Sequence, residues 1–223
     1  SCRSTINGYR KIKQIGEGAF GKTYHVTKGE QDYALKMLKS FQMTEAVVIA
    51  TMKEITILRS LKHGNVVSYV DSFRDGLNKV YIVMEYCDMG NLGMLIDSRD
   101  PSVADERFIV DVMTQLCCGL AYIHSMKVVH RDIKPTNIFI RRREGTKISI
   151  KIGDFGLSKV LQSSGYANTI CGTPSYISPE CLQGLPYNYQ RELWVWCDDQ
   201  TQSKSNKKWR TQLDWIKRNY NYE

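Results

Sequence analysis

The sequence predicts an α+β protein built as two lobes. Residues 9–39 read as short alternating or apolar strands separated by glycine turns. Residues 105–126 carry one long apolar stripe at helical spacing. Strand-like and helix-like segments are segregated along the chain rather than interleaved, which favours α+β over a doubly wound sheet.

Taken in order, "YRKIKQIG" and "KTYHVTKG" alternate, and "DYALKML" is short and apolar. Residues 44–62 predict a helix, with Val48, Met52, Ile55 and Leu58 recurring on one face. "NVVSYVDSF" and "KVYIVMEY" return to strand character, and the pattern turns helical after "CDMGN". Ile109, Val112, Leu116, Leu120 and Ile123 form the stripe of the long helix. "IFIRR" and "KISIKIGDF" are β-like, with Arg141–Arg143 and "EGT" at the tip between them. The lobes are expected to join near Glu85–Gly90. Neither an internal repeat nor a low-complexity segment is found.

The 223 residues suffice for one sizeable domain or two joined lobes. A composition of 42% hydrophobic and 24% charged residues is that of an ordinary globular chain. The net charge is +8, but Lys and Arg are spread along the sequence without interleaved aromatics, so a nucleic-acid partner is not expected. No uninterrupted apolar run approaches the ~18 residues of a membrane span. The start, "SCRSTINGYRKIKQIG", has no apolar core and does not read as a signal peptide. Seven cysteines, none in a CxxC pair, argue against a disulfide or zinc scaffold and for a reducing compartment.

The chemistry lies in an ordered series of motifs. "GEGAFG" at 16–21 is a G-x-G-x-x-G, but "KTYHV" after it alternates like a strand. The loop therefore joins two strands, not a strand and a helix as in a dinucleotide fold. Its glycines let backbone N–H groups approach a polyphosphate. Lys36 sits on a strand; such a lysine usually faces solvent, but it can also bind phosphate if a carboxylate such as Glu54 on the next helix holds it. In "VVHRDIKPTNIFI" (128–140), Asp132 can orient or deprotonate a hydroxyl. Lys134 can neutralise a transferring phosphoryl group, and Asn137 offers an amide oxygen to a hard cation. Asp154, in "DFG", supplies a second carboxylate.

This ordered set resembles the eukaryotic protein kinase family over about residues 9–197. The resemblance implies a bilobal kinase-like fold. It divides the chain into a small, mostly-β lobe (1–84) with one helix, a hinge (85–90), a partial, mostly helical lobe (91–197) and a divergent tail (198–223). It implies ATP and Mg²⁺ as cofactors. Ile15, Gly16, Glu17, Gly18, Ala19, Phe20, Gly21, Lys22 and Thr23 would cover the nucleotide. Lys36 would reach its phosphates, paired with Glu54. Glu85 and Cys87, in the hinge "MEYC" (84–87) with Met84 as gatekeeper, would meet adenine. Asp132 and Lys134 would be catalytic, and Asn137 and Asp154 would hold the metal. Lys134, together with Thr173 in "CGTPSYISPE", resembles the serine/threonine branch, which implies a protein substrate with a Ser or Thr hydroxyl. "DFGLSK" and the "SPE" ending look most like the NIMA-related kinases. By that resemblance the chain is expected in the cytoplasm, with the nucleus or cytoskeleton as further settings.

There are departures from the pattern. Thr23 replaces the usual valine over adenine, "HGN" (63–65) replaces "HPN", and Ser175 replaces a tyrosine. Glu192 stands where the family places a buried Asp that anchors the catalytic loop. By the same resemblance Thr169 is expected to accept a phosphate that pairs with Arg131, a solvated loop threonine being the other reading. After Cys197 the pattern stops. Trp209, Leu213, Ile216 and Tyr220 are spaced as on a short amphipathic helix, and an altered reading frame or splice-variant tail is the other reading. By the same resemblance Glu180 is expected to pair with an arginine from a later helix, and no residue in 198–223 sits in a recognisable match to that motif. The sequence therefore supports two functions: an active serine/threonine kinase, or a catalytically impaired ATP-binding or scaffolding form of low stability.

Overall fold

The computed structural model describes residues 5–18, 21–38, 45–76, 79–98, 105–142 and 148–160, and residues 173, 178, 181, 183, 185, 189 and 192 singly. Ala19, Phe20, Arg143, Thr169, Ser175, Glu180 and the tail 198–223 lie outside the described residues. In chain order the first elements are β1 (Thr5–Ile6), β2 (Tyr9–Gly18), β3 (Gly21–Lys28), β4 (Gln31–Leu38), α1 (Glu45–Ser60), β5 (Tyr69–Arg74) and β6 (Val80–Glu85). There follow α2 (Leu92–Asp97), α3 (Glu106–Ser125), β7 (Val128–Val129), β8 (Ile138–Arg142), β9 (Ile148–Ile152) and β10 (Lys159–Val160).

The chain forms two compact units, residues 1–90 with 139–151, and residues 91–138 with 152–223. The hairpin β8–β9 thus belongs with the first unit, whereas the sequence reading left it in the second lobe. Long-range hydrogen bonds account for the difference. Met89 N–H donates to the Ile140 carbonyl at 3.1 Å, Ile140 N–H to the Gly90 carbonyl at 2.8 Å, and the Asn65 amide to the Ile150 carbonyl at 3.1 Å.

The first unit is a six-stranded antiparallel sheet in the order β1-β2-β3-β4-β6-β5. β1 and β2 close on Asn7 and Gly8, whose φ values of 48° and 80° suit a two-residue turn that follows the strand twist. Tyr9, Val26, Leu35, Tyr81 and Val83 form one buried cluster on this sheet. In α1 the buried face runs through Thr51, Glu54, Ile55 and Leu58. Met52, expected on that face, is 49% exposed instead. The helix is rotated so that Glu54, rather than Met52, reaches the lysine of β4.

The second unit is organised around α3. Asp105 caps its N-terminus, accepting from Arg107 N–H at 3.0 Å. All five residues of the expected stripe are buried. By length and composition α3 is also able to cross a bilayer, but its apolar side is used inside this unit. β7 pairs with β10, which brackets the loop that carries the charged motif.

Candidate active site

Within the first unit, β2 and β3 bring Gly16 opposite Thr23, Glu17 opposite Lys22 and Gly18 opposite Gly21. The three glycines are not equivalent. A Cβ on Gly21 would stand 2.1 Å from the Met37 carbonyl oxygen, so the packing of β3 on β4 requires glycine there. A Cβ on Gly16 would meet only Thr23 at an ordinary 3.8 Å, and one on Gly18 would meet nothing within 4 Å. No described part of the chain demands glycine at 16 and 18, which fits a backbone kept bare for a ligand. Ile15 is 41% exposed on the same strand.

Thr23 on β3 is registered with Lys36 on β4, and Lys36 with Ile82 on β6. The Lys36 ammonium lies 2.7 Å from the Glu54 carboxylate, and both side chains are buried. Lys36 is thus turned inward onto a helix glutamate rather than toward solvent. Farther along, Glu85 uses its carboxylate internally. It takes hydrogen bonds from Ser68 N–H at 2.7 Å, Lys151 at 2.9 Å and Arg141 at 3.2 Å. Arg141 is exposed, as expected of a solvated tip, and also reaches this carboxylate. Cys87 makes no backbone hydrogen bond among the described residues. Burial, with the Glu85 charge adding to it, pushes its thiol up to about 12, which disfavours the thiolate.

In the second unit, the left-handed backbone of Arg131 (φ 72°) turns the chain after His130. The His130 ring is fully buried. Its Nδ1 accepts Asp132 N–H at 3.3 Å, so the ring proton sits on Nε2 and is donated to the Gly153 carbonyl at 2.9 Å. Phe155 packs edge-on against it, with ring centroids 4.8 Å apart. His130 thereby ties the Asp132 loop to the Asp154 turn. Gly153 N–H also donates to the Asn137 carbonyl at 3.0 Å.

The Asp132 carboxylate is held from three sides. Oδ1 accepts the Thr173 hydroxyl at 2.7 Å and its N–H at 3.1 Å. Oδ2 accepts from Lys134 at 2.9 Å and from the Asn137 amide at 2.9 Å. Lys134 also donates to the Thr173 hydroxyl at 2.6 Å. Burial alone would raise the Asp132 carboxyl. The bonds from Lys134 and Thr173, the Lys134 charge and the Asn137 amide outweigh it and keep the group below its ordinary value. Asp132 is thus ionised throughout the neutral range and suited to orient a hydroxyl. Asn137 spends its amide protons on Asp132, on the backbone carbonyl at 2.8 Å and on Oδ2, which turns its own oxygen away from that carboxylate. Asp154 is exposed, with a left-handed backbone (φ 63°). An amide oxygen and a carboxylate are the hard donors that Mg²⁺ takes from proteins, with phosphate and water filling its other positions. The residues present therefore fit that ion. The described residues hold no cluster of three or more His, Cys, Asp or Glu side chains able to bind a metal.

Glu192 anchors this loop from below. Its fully buried carboxylate accepts Arg131 N–H at 2.5 Å and lies 2.7 Å from the His124 ring. Burial would raise its pKa, but the hydrogen bond and electrostatic pull of the His124 ring, the nearby His130 ring and the Arg131 N–H lower it overall.

A family model described as the protein kinase domain matches residues 9–197. The chain belongs to the protein kinase domain family. Over this kinase domain it is similar to the mouse serine/threonine-protein kinase Nek1, 36% identical over 190 residues, which is 84% of this chain and 15% of that protein. Human serine/threonine-protein kinase Nek5 is 38% identical over 193 residues, covering 85% and 27%. Mouse serine/threonine-protein kinase Nek2 is 37% identical over 202 residues, covering 86% and 45%. The chain thus spans less than half the length of each of these relatives. The kinase domain also contains positioning residues to which the sequence reading gave no role: His124, His130 and Lys151. His124 sits in an apolar run where a lone histidine carries no signal, and His130 was read only as a member of the charged motif at 128–140. Lys151 lies in "KISIKI", whose alternation puts it on the polar face and so predicts a solvent-facing lysine, not the buried one seen here.

Proposed function

We propose that this chain is a protein kinase that transfers the γ-phosphate of ATP to a serine or threonine hydroxyl of a protein substrate. The observation that carries this reading is the closed set Asp132–Lys134–Thr173–Asn137, with every bond between 2.6 and 3.1 Å. Mg·ATP, when bound, supplies the phosphoryl group and neutralises part of its charge. Asn137 and Asp154 would hold the metal. Lys36, fixed by Glu54, would hold the nucleotide phosphates, and the bare backbone at Gly16 and Gly18 would approach them.

Asp132 is fixed by Thr173 and Asn137 and kept ionised by Lys134. It accepts a hydrogen bond from the substrate hydroxyl and takes its proton as the oxygen attacks. Lys134 is bonded to both Asp132 and Thr173, so its charge is already in place when negative charge develops beside it. The Lys134–Thr173 bond supports a Ser/Thr acceptor, and the three relatives, each named a serine/threonine-protein kinase, support the same choice. The test is phosphate incorporation from labelled Mg·ATP into degenerate peptides with a central Ser, Thr or Tyr. Transfer to Ser and Thr pools alone is expected; transfer confined to the Tyr pool would overturn the assignment.

A further inference from the structure

A cavity of about 690 Å³ opens in the first unit; of its lining residues only Ser68 and Lys151 touch the site described above, both through Glu85. Its wall is the last turn of α1, the loop to β5, the start of β5, and Lys151 of β9. Arg59, Lys62, His63 and Lys151 line it, and no Asp or Glu side chain among the described residues does. Ser68 and Tyr69 add hydroxyls, over a floor of Leu58 and Leu61.

Cations at the end of α1 complement the helix dipole, which accounts for Arg59 and Lys62. It does not account for Lys151, which comes from a separate strand and is buried there. The carboxylate behind Lys151, Glu85, is shared with Arg141, so the wall keeps its positive balance. Arg59 stands 5.9 Å over the Tyr69 ring, which holds the guanidinium on this wall. His63 accepts Asn65 N–H on Nδ1 at 3.1 Å, which makes its Nε2 the donor side. Arginine and lysine around a concave site are the chemistry that recognises a phosphomonoester. The volume lies within the range of ligand pockets. β5, which begins at Tyr69, is the terminal strand of the sheet, so its outer edge has no strand beside it among the described residues. Extended peptides bind such edges. A nucleic-acid strand would need a long basic groove with stacking platforms instead.

We propose that this cavity binds the phosphate of a phosphoserine or phosphothreonine on a protein partner, with the flanking peptide extended along β5. Binding of this kind does not depend on phosphoryl transfer and is measured without Mg·ATP. The probes for fluorescence anisotropy are a labelled degenerate peptide pool with a central phosphothreonine, its unphosphorylated twin, and a single-stranded DNA oligonucleotide. The phosphorylated pool is expected to bind the full chain about tenfold or more tighter than its twin. Arg59→Ala with Lys62→Ala should weaken it about tenfold or more, while Arg59→Lys alone retains most of it. Ser68→Glu, which puts a carboxylate at the rim, should abolish the preference if the double variant fails to fold. Equal binding of the two pools would overturn the proposal. So would unchanged binding by the folded double variant, or by Ser68→Glu where that variant takes its place. Tighter binding of the oligonucleotide, lost in the same variants, would replace it with a nucleic-acid site.

Discussion

At the residue scale, Thr173 is the informative position. Its hydroxyl gives its proton to Asp132 and takes one from Lys134. Thr173→Ala removes both hydroxyl bonds and leaves Asp132 held only by the backbone N–H at 173, Lys134 and Asn137. Turnover should fall on the order of 10²-fold with a small change in KM for ATP, and Thr173→Ser should restore most of it. Steady-state kinetics of the three forms decide it; an alanine variant with full turnover contradicts the clamp. The two glycines divide fold from ligand in the same way. Gly21→Ala drives a Cβ onto the Met37 carbonyl and should cost roughly 1–3 kcal/mol in a denaturant melt. Gly18→Ala meets nothing and should leave the melt within about 1 kcal/mol of wild type while weakening ATP binding. Equal destabilisation by both would show that Gly18 is also a packing glycine.

At the scale of elements, the Lys36–Glu54 pair joins β4 to α1 with little solvent around it. Lys36→Met strands a buried carboxylate and should cost roughly 3–5 kcal/mol, whereas Lys36→Met with Glu54→Leu should recover most of that loss. Neither variant should bind ATP productively. Thermal melts of the two test the pairing, and a double variant as unstable as the single one would contradict it. Much at this scale was legible in the sequence. β2, β3, β4, β6 and β8 fall close to their expected runs because each alternates or is bounded by turn residues. α3 was legible because five apolar residues keep one stripe. The rotation of α1 was not legible: Met52 and Glu54 both fit a helical face, and only the inward lysine of β4 decides between them. The two-residue strands β1, β7 and β10 are too short to carry a period, and the attachment of the β8–β9 hairpin rests on backbone bonds that no side-chain pattern records.

At the scale of the whole molecule, two carboxylates bear on stability in acid. The folded-state pKa values of Asp132 and Glu192 both lie below their ordinary values. A depressed carboxylate stabilises the fold above its unfolded pKa, and that contribution is lost as pH falls through its folded pKa. Stability should therefore be flat near neutrality and drop below the ordinary carboxylate range. Glu192→Gln should lower stability at neutral pH and flatten the acid drop; an unchanged acid profile would contradict the anchoring role. The site residues were legible in the sequence mainly through the order of their motifs. What was not legible is how they meet, since Asp132 and Thr173, and Arg131 and Glu192, are far apart along the chain and are joined only by the fold. The central claim is that these contacts serve phosphoryl transfer to serine or threonine. The most direct measurement is incorporation of labelled phosphate from Mg·ATP into Ser and Thr peptide pools by the wild-type chain and by Asp132→Asn, with ATP binding followed in parallel. The expected result is transfer by the wild type, its loss in the variant, and ATP binding retained in both. Equal transfer by the two forms, or none by a folded wild-type chain that binds ATP, would contradict it.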